Sequence, residues 1–129
     1  MITEDYVSFE TAKLLKEKGF DEECKRRYNC RGELSRVDSM VYMNSHRDMQ
    51  DKHVAPTLQM AMKWLREVHN IHISIYVFNR ELPITIPIYY TCDIATEKLS
   101  YQQGHLRGIW KSYEEACEAA IKYCLEHLI

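Results

Sequence analysis

The sequence predicts an α+β domain: an antiparallel two- to three-stranded sheet packed by about three helices. The order is helix, an irregular middle, helix, strand, strand, a third strand by one reading, helix. Three observations lead there. Apolar residues recur at helical spacing through 58–68 and again through 113–128. Residues 71–78 and 84–94 instead alternate at period two. The change of period falls at one place, Asn70, inside APTLQMAMKWLREVHNIHISIYVF (55–78).

The first helix is expected over 7–20, VSFETAKLLKEKGF. Ser8 is a good N-cap, and Val7 can staple back onto Ala12. Gly19 supplies a left-handed C′ position that lets Phe20 fold toward Leu15. Phe9, Ala12 and Leu15, with Leu14 beside them, make a short stripe. So brief a helix holds only by docking on something larger. Residues 21–54 read as irregular and of uncertain role: a charged stretch with a turn at Arg31–Gly32, a short strand at SMVYMN, then a loop.

The second helix should open with Pro56 at its first position, where a missing N–H costs nothing. Leu58, Ala61, Met62, Leu65 and Val68 share one stripe, Met60 and Trp64 widen it, and Asn70 is a left-handed stop. In the strand that follows, Ile71, Ile73, Ile75 and Val77 face one way, and His72, Ser74, Tyr76 and Phe78 the other. After the turn NRELP, ITIPIYYTCDI places Ile84, Ile86, Ile88, Tyr90, Cys92 and Ile94 on one face. Thr85, Pro87, Tyr89, Thr91 and Asp93 take the other. The two strands should pair as a hairpin, with Pro87 at an edge or a bulge. KLSYQQ could return as the third strand. The closing helix starts at a capping box, Ser112 with Glu115. Tyr113, Ala116, Cys117, Ala120, Ile121, Cys124, Leu125 and Leu128 form its stripe.

The 129 residues are expected to form one domain spanning 1–129, with a net charge of -2. Near-neutral charge argues against a large footprint for nucleic acid or anionic membrane. No apolar run has the length of a membrane span. The opening MITEDYVSFE has neither the basic nor the apolar region of a signal peptide, so a cytoplasmic protein is expected. Five cysteines without an export signal argue for reduced thiols, with Cys92, Cys117 and Cys124 as small core residues.

Chemistry-bearing patterns are sparse. Cys24, Cys30, His46, His53, His69 and His72 lack zinc-ligand spacing, so no metal site is assigned. No cysteine sits on a strand-to-helix elbow, and the four glycines form no phosphate loop. No catalytic residue, cofactor or cofactor-binding residue is assigned either. A small enzyme with a dispersed site stays open, because such a site leaves no local signature. Lys25, Arg26, Arg27, Arg31 and Arg36 read as a solvated surface, offset by Asp21, Glu22 and Glu23. The second hairpin face is the candidate interaction surface, with Tyr76, Phe78 and Tyr89 its aromatics. The competing expectation, which the docking need of the first helix favours, is that this helix and residues 21–54 cover that face.

The order of elements over 55–129 is similar to that of a double-stranded-RNA-binding domain, and KSYEEACEAAIKYCLEHL resembles that family's second helix. The family grips phosphate with lysines at the start of this helix. Here Lys111 is followed by Glu114, Glu115 and Glu118, so the topology is implied without the activity. YVSFETAKLLKEKGFDEEC, APTLQMAMKWLREVHNIHISIYV and SYEEACEAAIKYCLEHLI together resemble a family of small proteins of phages, prophages and mobile elements of Bacteroides-type gut bacteria. That resemblance implies a bacterial or phage protein and transfers no catalytic residue. The expected function is therefore a non-enzymatic accessory protein that binds a protein partner or itself. A nucleic-acid-binding module using the aromatic face, and an enzyme, are the alternatives.

Overall fold

The computed structural model describes residues 1–78, 87–97 and 108–129. In order it contains α1 (Phe9–Glu17), β1 (Arg27–Tyr28), a 3₁₀ turn (Arg47–Met49), β2 (His53–Val54), α2 (Leu58–His69), β3 (His72–Phe78), β4 (Tyr89–Ala95) and α3 (Tyr113–His127). The α+β class holds: among the described residues there are three helices and two antiparallel two-stranded sheets, β1–β2 and β3–β4. Ile84, Ile86 and Thr85, the turn NRELP and the strand expected at KLSYQQ lie outside the described residues.

Local chemistry sets the helix ends. The Ser8 hydroxyl accepts the Thr11 N–H, and Val7 and Ala12 are both fully buried beside it. At the other end Gly19 takes φ +93°, the Phe20 N–H reaches Leu15 C=O at 2.9 Å and the Gly19 N–H reaches Lys16 C=O at 3.2 Å. These paired bonds are the Schellman closure expected of Gly19. α2 starts at Leu58, two residues later than expected. Thr57, not Pro56, is the boundary residue: its side chain accepts the Met60 N–H, and the Pro56 carbonyl takes the Val7 N–H at 3.1 Å. Asn70 is left-handed (φ 54°, ψ 39°), and Ile71 N–H bonds back to Leu65 C=O at 3.0 Å. On α3 the Ser112 hydroxyl accepts the Glu115 N–H at 3.1 Å.

The register of the hairpin confirms its facing. Ile73 pairs with Ile94, Ile75 with Cys92 and Val77 with Tyr90, all on one face. α2 and α3 pack on that face. Ile71, Cys92 and Ile94 are buried under them, while Ile73 and Ile75 are half-buried. Val68, placed on the buried stripe by its spacing, is 57% exposed. Tyr90 and Trp110 exchange both backbone bonds at 2.8 Å as an isolated bridge, on the side of β4 away from β3.

Residues 21–54 are folded into the core. Cys24 pairs with Tyr42, Tyr28 with Leu34, and β1 with β2. Cys24, Tyr28, Tyr42, Met49 and Val54 are buried there. The turn at Arg31–Gly32 closes where expected: Asn29 Oδ1 accepts the N–H groups of Arg31 and Glu33 at 2.9 and 3.0 Å, and Gly32 has φ +81°. The Lys16 ammonium ties α1 to this segment by donating to the carbonyls of Met49, Gln50 and Lys52. One cation thereby serves three carbonyls at the end of the 3₁₀ turn, of which that of Met49 also takes the Lys52 N–H at 3.2 Å.

Candidate functional site

The structure brings Tyr76, Phe78 and Tyr89 together. Phe78 pairs with Tyr89 and Tyr76 with Thr91 in the last two rows of the second hairpin face. Tyr76 is 37% and Phe78 43% exposed, and Tyr89 is half-buried. The expectation that α1 and residues 21–54 cover this face is therefore corrected. α1 packs on α3 and β2 instead, because it finds its apolar partners there.

The outer end is exposed on the first face as well. Val77 and Ile88 are 36% and 60% exposed. Element lengths account for this. The 12 residues of α2 rise about 18 Å at helical spacing. The seven residues of β3 rise about 23 Å. α2 doubles back along β3 from Asn70, so the strand outruns the helix packed on it.

Ile109 joins the patch, a residue that sequence reasoning missed. The Tyr90–Trp110 bridge sets the alternation, which puts Ile109 on the side of Tyr89 and Thr91. It is 51% exposed. Trp110 goes to the other side, its ring close over Gly108, where a Cβ would stand 3.0 Å from Cζ2. The Thr91 hydroxyl donates to Gly108 C=O at 2.8 Å and stitches this segment to β4. The polar groups His72, Ser74, Thr91 and Asp93 lie inward of the Phe78–Tyr89 row. The Tyr76 hydroxyl donates to Asp93 at 3.2 Å, and His72 Nε2 lies 2.9 Å from Asn70 Oδ1. The patch is apolar and carries a carboxylate, which suits a protein surface better than phosphate.

The other sequence candidates fall elsewhere. His46 and His72 are exposed, and His53 and His69 half-buried. No three of the His, Cys, Asp and Glu side chains converge on a possible metal position among the described residues. Three arginines of the basic cluster are engaged within the chain. Arg26 lies over the Tyr6 ring and donates to Ser35 C=O; Arg27 lies over Tyr42 and pairs with Asp48 at 3.3 Å; Arg31 pairs with Glu33 at 3.2 Å.

Concave surface is shallow. An open groove of about 370 Å³ runs between Tyr6, Leu58 and Ala119, with Glu114, Glu115 and Glu118 along one wall. A smaller cleft borders Cys24, whose thiol is pushed up to about 12 by burial, with the charge of Glu22 adding to it. A thiol that keeps its proton so firmly is a poor nucleophile. Burial likewise lifts Cys92 and Cys117 to about 11 and Cys124 to about 12. No helix among the described residues is long and apolar enough to cross a membrane. Comparison with known proteins returns no match to this chain among family models, curated proteins or solved structures.

Proposed function

We propose that this chain is a non-enzymatic binding module, an accessory protein of a phage or other mobile element. It acts by holding a protein partner, or a second copy of itself, at the outer end of the β3–β4 hairpin. One observation carries the reading: Phe78, Val77, Ile88 and Ile109 stand exposed together, on both faces of a hairpin that outruns its helix. Aromatic and branched side chains held on a hydrogen-bonded ladder lose little freedom on binding, and such residues dominate interface energetics. The mobile-element origin rests on the resemblance carried by residues 6–24, 55–77 and 112–129.

A pull-down from the native host, run with the wild type and with Phe78→Ser and Ile88→Ser, tests the reading. A partner, or a dimer by mass, that is retained by the wild type and lost by the variants supports it. A strict monomer that recovers no partner contradicts it.

A further inference from the structure

We propose that His53 is an acid-sensitive latch: its neutral ring lets α1 dock on the β1–β2 ribbon, and its protonated ring loosens that docking. The ring sits where α1 meets β2. The Phe9 ring meets it edge-on, with centroids 5.8 Å apart at 64°. Its Nδ1 is buried and has no hydrogen-bond partner among the described residues. A neutral imidazole can leave that nitrogen unprotonated. An imidazolium must place an N–H there with no acceptor, which is costly in a buried position.

The neighbouring charges act in the same direction. On α1, Lys16 is held fast by three carbonyls, one of them that of Lys52, one residue before His53. Lys13 lies over the Phe9 ring at 4.9 Å. Asp51 in the preceding turn and Glu17 on α1 oppose these cations. On β1, the Tyr28 hydroxyl is committed to Val7 C=O at 2.6 Å, and the Arg27 guanidinium is turned to Asp48 and the Tyr42 ring. The balance holds His53 below its ordinary value of 6.5, through burial first and then Lys16 and Lys13.

The sign follows from proton binding. A histidine freed from the interface binds its proton at the ordinary value, and the docked one only at lower pH. Docking is at full strength above the ordinary value and weakens as pH falls through the docked one. Release of α1 would uncover Val7, Ala12 and Leu15, all fully buried in the docked state.

Amide exchange read by NMR, corrected for the intrinsic pH dependence, tests the latch together with titration of the His53 ring. Between neutral pH and about pH 5, opening of α1 at Leu15 and Lys18 should rise about threefold or more relative to α3 at Leu125. His53→Gln should abolish that difference, and the wild-type ring should titrate below free histidine. Equal pH dependence in wild type and His53→Gln would overturn the latch. So would a ring that titrates at or above the free value, a readout that does not depend on the variant folding.

Discussion

Thr11 on α1 donates its hydroxyl to Glu118 Oε1 on α3 at 2.7 Å, and the same oxygen accepts the Ser8 N–H at 3.1 Å. Thr11 is fully buried, so the bond closes the seam between the first and last helices where water cannot replace it. Thr11→Val keeps the shape and removes the donor. It should cost about 1.5–3 kcal/mol, the range for a hydrogen bond to a charged group. A shift in the urea midpoint at unchanged slope would show it, and a shift within error would mean that the Ser8 N–H suffices.

Gly19 and Gly32 both have positive φ, at +93° and +81°, but differ in the space around them. A Cβ on Gly19 meets nothing within 4 Å, whereas one on Gly32 would stand 2.9 Å from Phe9 Cδ2. Gly19→Ala should cost about 1–2 kcal/mol from backbone strain alone. Gly32→Ala should cost more, because it also displaces the ring that packs on Tyr28 and His53. Equal losses in thermal or urea unfolding would show that the Phe9 ring yields freely.

The five thiols should separate sharply in reactivity. Cys30 is exposed, whereas Cys24, Cys92, Cys117 and Cys124 are buried and lifted to about 11 or 12. A thiol-specific reagent at mildly alkaline pH should modify Cys30 quickly and the other four only as the protein opens. Cys30→Ser should remove the fast phase. Rapid modification of Cys92, Cys117 or Cys124 in the native protein would contradict the packing between β4 and α3.

What the sequence made legible was local. The Ser8 and Ser112 caps, the Gly19 closure and the Asn70 stop each depend on residues within a turn of one another, so spacing alone reveals them. The facing of β3 and β4 was legible for the same reason. The start of α2 was not, because Thr57 competes with Pro56 and the Pro56 carbonyl is claimed by Val7, which is far away in sequence. Residues 21–54 were opaque because β1 and β2 have two residues each, too few to show a period, and pair across 26 positions or so.

The candidate surface was half legible. Alternation identified Tyr76, Phe78 and Tyr89 as one face. Whether that face was covered depended on where α1 docks, and its anchor on Glu118 lies 107 residues from Thr11. Exposure of Val77 and Ile88 followed from the unequal lengths of β3 and α2, which periodicity does not report. Ile109 joined the patch only through the Tyr90–Trp110 bridge.

The hairpin end is tested most directly by the affinity for the recovered partner, or for a second copy, measured by sedimentation or titration. Phe78→Ser is compared there with Val37→Ser, which removes a smaller but more exposed apolar residue outside the hairpin. Phe78→Ser should weaken association about tenfold or more at unchanged folding stability, and Val37→Ser should leave it intact. Equal affinity for both variants would mean that the working surface lies elsewhere on the molecule.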